Sequence, residues 1–151
     1  MKASKPNPTL FYSPVPYSLT REATMTENLY DIAEKLGVRT VEDLHTPGLL
    51  GGYHEPTGTI VLASGMTARQ YRSVLAHELA HALHKDTHKE CNQAVERKRD
   101  LQAAEWLIDP EEFRRVVTAY PGHAETIAYH LDVTVDLVHA YARAHLPAGA
   151  L

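Results

Sequence analysis

The sequence predicts a single, mostly helical α+β domain with a small antiparallel sheet or hairpin ahead of one central helix. Three observations predict it. A chain of 151 residues, 44% apolar and 23% charged, suits one domain around one moderate core. Apolar residues recur at helical spacing through several separate stretches, each bounded by Gly, Pro or a capping residue. Only LLGGYHEPTGTIVLAS, residues 49–64, has extended, β-branched runs around a turn.

Taken in order, residues 1–18 hold Pro6, Pro8, Pro14 and Pro16 and are expected to form an extended arm, since this density forbids a regular helix. A helix follows, capped by Thr20 or Thr24, with Leu29, Ile32, Ala33 and Leu36 on one face and Gly37 at its end. VRTVEDL offers a short strand or turn, and His45-Thr46-Pro47-Gly48 a break. Pro56-Thr57-Gly58 turns the chain between two extended runs, the second being Thr59-Ile60-Val61-Leu62. Ser64 or Thr67 caps the central helix, and Thr67 with Gln70 fits a capping box. After the polar linker His84–Lys89, a long helix runs from about Cys91 to Ile108 and stops at Asp109-Pro110. Glu111–Tyr120 is another helix, ended by Pro121-Gly122. The tail adds two more, about Ala124–Leu131 and Val135–His145. The resulting division is an arm (1–18), a core (19–120) and a C-terminal helical pair (121–151) packed on that core.

Composition excludes several classes. A net charge of −4 gives no general attraction to nucleic acid or anionic lipid. The apolar runs are too short to span a bilayer, and the N-terminus lacks the apolar core of a signal peptide. Cys91 is the sole cysteine, so no internal disulfide can form, and a cytoplasmic location is expected.

The chemistry concentrates in the central helix. VLAHELAHALH (74–84) contains His77-Glu78-Leu79-Ala80-His81, the H-E-x-x-H spacing. Residues four apart share a helical face, so both imidazoles can converge on one ion, while Glu78 leans over the position of a metal-bound water. Val74, Leu75, Leu79, Ala80, Ala82 and Leu83 supply the apolar remainder, and no Gly or Pro interrupts the run.

A catalytic metal of this kind needs a third protein ligand and one open position. His84, His88, Glu90, Glu96, Asp100 and Glu105 are the candidates. His84 lies too far along the axis from His77 to share one small ion. Glu96 stands out because Asp100 follows one turn later, giving one carboxylate for the metal and one for the outer N–H of a ligating His. The same two residues could instead form a solvated face, paired with Arg97, Lys98 and Arg99.

Together LGV (36–38), GGY (51–53), TIVL (59–62), LAHELAHALH and ERKRDLQAAEWLIDP (96–110) resemble the ImmA/IrrE family of zinc metallopeptidases. The resemblance covers about residues 29–110. It implies a zincin-like fold, one Zn²⁺ per chain held by His77, His81 and Glu96, Glu78 as the catalytic base, and Asp100 behind a ligating histidine. Arg99 stands where the family has Ala, Gln102-Ala103 lacks its aromatic, and Asp109 replaces its Met; all three fall at packing positions of the helix. The implied activity is endopeptidase cleavage of a protein substrate, a site-specific cut in a DNA-binding transcriptional repressor of a phage, mobile element or stress regulon. An oxyanion donor is also required, with Tyr53, His54 and Tyr71 as candidates and His123 and His130 as further ones. Arg69 and Arg72 read as solvated residues.

The tail from Glu125 to Tyr141 resembles a helix-turn-helix. The rival reading is therefore a DNA-binding or repressor-binding regulatory protein with a structural metal site. Against direct DNA contact, Thr134–His145 offers only Arg143 as a fixed cation, and the tail carries Glu125, Asp132 and Asp136 besides.

Overall fold

The computed structural model describes residues 21–43 and 47–151. The arm expected at 1–18, the Thr20 cap and the break at His45-Thr46 lie outside the described residues. Helix α1 (Arg21–Leu36) buries Leu29 and Ala33, as its apolar spacing requires, and ends at Gly37, whose φ of 66° is the left-handed conformation that glycine adopts without strain. Thr24 falls inside α1 and so does not cap it.

Strands β1 (Arg39–Asp43), β2 (Gly51–His54) and β3 (Thr59–Ala63) form one sheet in the order β1-β3-β2. The β2–β3 hairpin is antiparallel, with Tyr53 opposite Ile60, and turns through a 3₁₀ segment at Glu55–Thr57. β1 joins the other side of β3 in parallel, with Val41 opposite Val61, so the expected hairpin is part of a mixed sheet. The difference is topological: the β1–β3 pairing depends on how the chain returns, which residue pattern does not specify. Ile60 and Leu62 are fully buried from the central strand.

Helix α2 (Ala68–His84) lies against both β2 and β3, against α1, and against α3 (Gln93–Leu107). The capping box is formed: Gln70 N–H donates to Thr67 Oγ1 at 3.2 Å, and Thr67 N–H to Gln70 Oε1 at 3.0 Å. Leu75, Ala76, Leu79 and Ala80 are completely buried. Asn92 caps α3 by accepting from the N–H groups of Ala94 and Val95. α4 (Pro110–Ala119), α5 (Ala124–Leu131) and α6 (Val135–His145) complete the described chain. Asp109 accepts from Glu111 and Glu112 N–H, which caps α4 with Pro110 at its first position. That role accounts for an aspartate where the family has Met.

The last two helices pack on the core. α6 buries Leu137, Val138 and Tyr141 and runs against α3. The α5–α6 turn is tied to the first half of α2. Arg72 Nη2 donates to the Asp132 carbonyl at 2.8 Å and pairs with its carboxylate, while Thr134 N–H donates to Ser73 Oγ at 3.0 Å. Arg69 reaches Asp132 at 3.4 Å and lies 5.1 Å from the Tyr129 ring centre. Arg72 is thus buried, at 5% exposure, and not a solvated residue as its sequence context suggested. Its partner comes from 60 positions away, which local sequence does not reveal. Among the described residues, no helix is long and apolar enough to cross a membrane.

Asp132→Ala should therefore destabilise the protein by about 3 kcal/mol, because it leaves the Arg72 guanidinium buried without its carboxylate. Urea denaturation at neutral pH would measure this, and a loss below about 0.5 kcal/mol would contradict the clamp.

Candidate functional site

The site is built where α2 faces α3, closed on one side by the edge strand β2. Regular i, i+4 geometry on α2 places the rings of His77 and His81 with centroids 4.7 Å apart. On α3, Glu96 and Asp100 stand one turn apart and both turn toward α2. His77 Nδ1 donates to Asp100 Oδ1 at 2.8 Å. His81 Nδ1 donates to Asp86 Oδ2 at 2.9 Å. A carboxylate can only accept, so each bond holds its ring proton on Nδ1 and leaves Nε2 as a lone pair.

The two Nε2 atoms then meet at 3.0 Å, and the Glu96 carboxylate lies 3.1 Å from one and 3.5 Å from the other. Three acceptors this close repel one another unless a cation sits among them. Burial opposes charging His77, but the Asp100 hydrogen bond and the charges of Glu78, Asp100 and Glu96 outweigh it and raise its pKa. Burial and the neighbouring His77 lower that of His81. One donor atom from each of His77, His81 and Glu96 lies within 4.8 Å of the others. Two neutral imidazoles and one carboxylate make a nitrogen-and-oxygen donor set that fits a divalent metal ion with a position left open. The site opens on the Glu96 side: that side chain is 43% exposed, whereas the His81 side chain is 7% exposed.

Glu78 sits beside the cluster at 8% exposure. Burial lifts its carboxyl pKa to about 7; His77 and the Tyr53 backbone N–H, which donates to it, pull it down, and Glu96 pushes it up. Strand β2 must approach α2 closely for that bond. It does so at Gly51, where a Cβ would come 2.5 Å from Val74 Cγ1 and 3.2 Å from Glu78 Cγ.

The structure thus brings together His77, Glu78, His81, Glu96 and Asp100. Of the oxyanion candidates, Tyr53 reaches Glu78 through its backbone. His54 Nδ1 bonds Thr57 Oγ1 at 2.8 Å, and the Tyr71 hydroxyl bonds that of Tyr30 at 2.8 Å. His130 stacks on Tyr120, and His123 is exposed at the start of α5. His84 is exposed at the end of α2, and Glu90 accepts from the Thr87 hydroxyl at 2.6 Å.

Three contributors escaped sequence reasoning: Asp86, Arg99 and Gly51. Asp86 read as linker and Arg99 as a packing substitution. The one available signal was the substitution itself, an arginine where the family has Ala. Arg99 Nη2 donates to Asp86 Oδ1 at 3.0 Å and Arg99 Nε to Oδ2, which pulls the Asp86 carboxyl below its usual pKa.

Compared with family models, the sequence matches Peptidase_M78, described as the IrrE N-terminal-like domain, over residues 33–141. Comparison with curated proteins found no match.

Two outcomes follow from this geometry. Gly51→Ala should destabilise the protein by about 1–3 kcal/mol through overpacking, with Val74→Ala restoring part of the loss in a double-mutant cycle. A strictly additive pair would show that the close approach is not the cause. Because the folded pKa of Asp86 is depressed, its stabilisation is full above its ordinary value of 3.8 and is lost as pH falls through the folded value. The stability difference between wild type and Asp86→Asn, measured by denaturation of the metal-free protein, should hold steady at neutral pH and shrink below about pH 4.

Proposed function

Since the chain belongs to the Peptidase_M78, IrrE N-terminal-like family, we propose that it is a zinc-dependent endopeptidase that cuts a DNA-binding repressor at one site. The observation that carries the zinc reading is the convergence of His77 Nε2, His81 Nε2 and a Glu96 oxygen with no donor among them. These three residues would hold one Zn²⁺. Zinc bound there supplies Lewis acidity, polarising a scissile carbonyl and lowering the pKa of a coordinated water.

The chain's own residues supply the rest. Glu78 is the base: its carboxylate takes a proton from the attacking water and returns it to the leaving amine. The Tyr53 backbone N–H favours the charged form of that carboxylate. Asp100 fixes the His77 ring so that Nε2 stays a lone pair.

Strand β2 is an outer strand of the sheet, next to Glu78. An extended peptide can add to such an edge through main-chain hydrogen bonds, which favours cleavage within a chain over removal of single terminal residues. The family resemblance supports a repressor as the substrate class and a phage, mobile-element or stress-response setting. The packing of α6 against α3, with Leu137, Val138 and Tyr141 buried, weighs against the tail serving as a DNA-reading unit.

Zinc content after reconstitution, followed by incubation with repressors encoded beside the gene, tests this reading. Wild type should hold about one zinc per chain, lost in Glu96→Ala and kept in Glu90→Ala. Glu78→Gln should retain zinc while cutting more slowly by about 10²–10⁴. Wild type without zinc would overturn the metallopeptidase assignment. Zinc without any cut in the repressors would overturn the substrate assignment and favour a metal-binding regulatory module.

A further inference from the structure

We propose that Asp86, itself fixed by Arg99, is a positioning residue that locks the His81 ring in its metal-ready orientation and tautomer. The proposal deepens the zinc reading of the same site, and it rests on contacts outside the His77, His81 and Glu96 set.

The geometry begins with how α2 ends. Lys85 adopts the left-handed conformation at φ 52°, its N–H donating to the Ala82 carbonyl at 3.1 Å. Asp86 N–H then donates back to the His81 carbonyl at 3.1 Å. This paired closure turns the chain sharply and sets the Asp86 side chain beneath the residue whose carbonyl it caps. Oδ2 accepts from His81 Nδ1 at 2.9 Å. Backbone and side chain of Asp86 therefore both hold His81.

Arg99 decides which way that carboxylate points. It lies on α3 between Glu96 and Asp100, is 9% exposed, and meets Asp86 with two parallel contacts, Nε to Oδ2 and Nη2 to Oδ1. A guanidinium gripping both oxygens fixes the carboxylate plane. It also keeps Asp86 ionised and acceptor-only, so the proton of the contact resides on His81 Nδ1. The Cys91 sulfur, at 3.9 Å from the same nitrogen, is too distant and too weak an acceptor to compete. The result is a chain from α3 through Asp86 to α2 that parallels the Asp100–His77 contact. Each ligand ring is thus held from behind by its own carboxylate, one direct from α3 and one anchored through Arg99.

Two readouts on the full chain test this. In the zinc-free protein, ¹⁵N NMR of the imidazoles above their titration range should show wild-type His81 as the Nδ1–H tautomer. Asp86→Ala should mix the two tautomers, and Asp86→Asn, which keeps the shape of the side chain, should do so in part. Zinc affinity, measured by competition with a chelator, should weaken about 10- to 100-fold in Asp86→Ala. It should weaken less in Arg99→Met, where the carboxylate remains but swings.

If Asp86→Asn and Arg99→Met melt earlier yet keep the tautomer and zinc affinity of wild type, the pair only anchors α2 to α3 and the inference is overturned. Should Asp86→Ala fail to fold, the two near-isosteric variants still decide. A wild type that binds no zinc would sink the metallopeptidase reading, while the tautomer result would judge the role of Asp86 independently.

Discussion

The structure depends on one electrostatic constraint: two imidazole lone pairs and a carboxylate held within hydrogen-bonding distance of one another with no proton donor among them. Left alone, such a cluster would rotate apart. It is kept together because each Nδ1 is bonded to a carboxylate, Asp100 behind His77 and Asp86 behind His81. In both cases the carboxylate is carried or anchored by α3, so the α2–α3 contact decides whether the site exists. The His77, His81 and Glu96 cluster is a property of two helices, not of the H-E-x-x-H helix alone.

Other features serve to hold α2 in place. On one side the sheet meets it at Gly51, the residue that lets β2 come close enough for the Tyr53 N–H to reach Glu78. On another side, the α5–α6 turn grips Arg72 and Ser73 one to two turns before the histidines. An ion pair with one buried partner adds little net stability, since desolvation offsets the attraction, but removing Asp132 would leave the buried Arg72 without its carboxylate. The helix-turn-helix-like tail thus has a visible structural task. Its turn braces α2, which carries both histidines, and the buried face of α6 completes the core against α3.

Two of the three departures from the family pattern, at Asp109 and Arg99, gain local explanations. Asp109 closes the N-terminus of α4. Arg99 steadies Asp86, and the presence of one calls for the other: a buried guanidinium without Asp86 would be unpaired, and an Asp86 without Arg99 would be free to leave His81. A polar substitution at a packing position of a helix is therefore informative, because burial forces it to have a partner.

Much was legible in sequence because it is governed by local rules. Helical periodicity, the Thr67–Gln70 box, the break at Asp109-Pro110 and the bounds of α5 and α6 depend on residues within a few positions of one another. The i, i+4 spacing of His77 and His81 guarantees a shared face on any helix, and Glu96 with Asp100 follows the same rule. What sequence left open was decided by contacts between distant segments. β1 pairs in parallel with β3, Arg72 is buried by a partner 60 positions away, and Asp86 in an apparent linker folds back under His81. These outcomes arise from the packing of whole elements, where desolvation forces each buried charge to find a partner wherever the fold supplies one. The sequence by itself determined the helices, the paired histidines and the candidate base; only the tertiary structure decided which carboxylates hold the rings and turn two histidines and a glutamate toward one point.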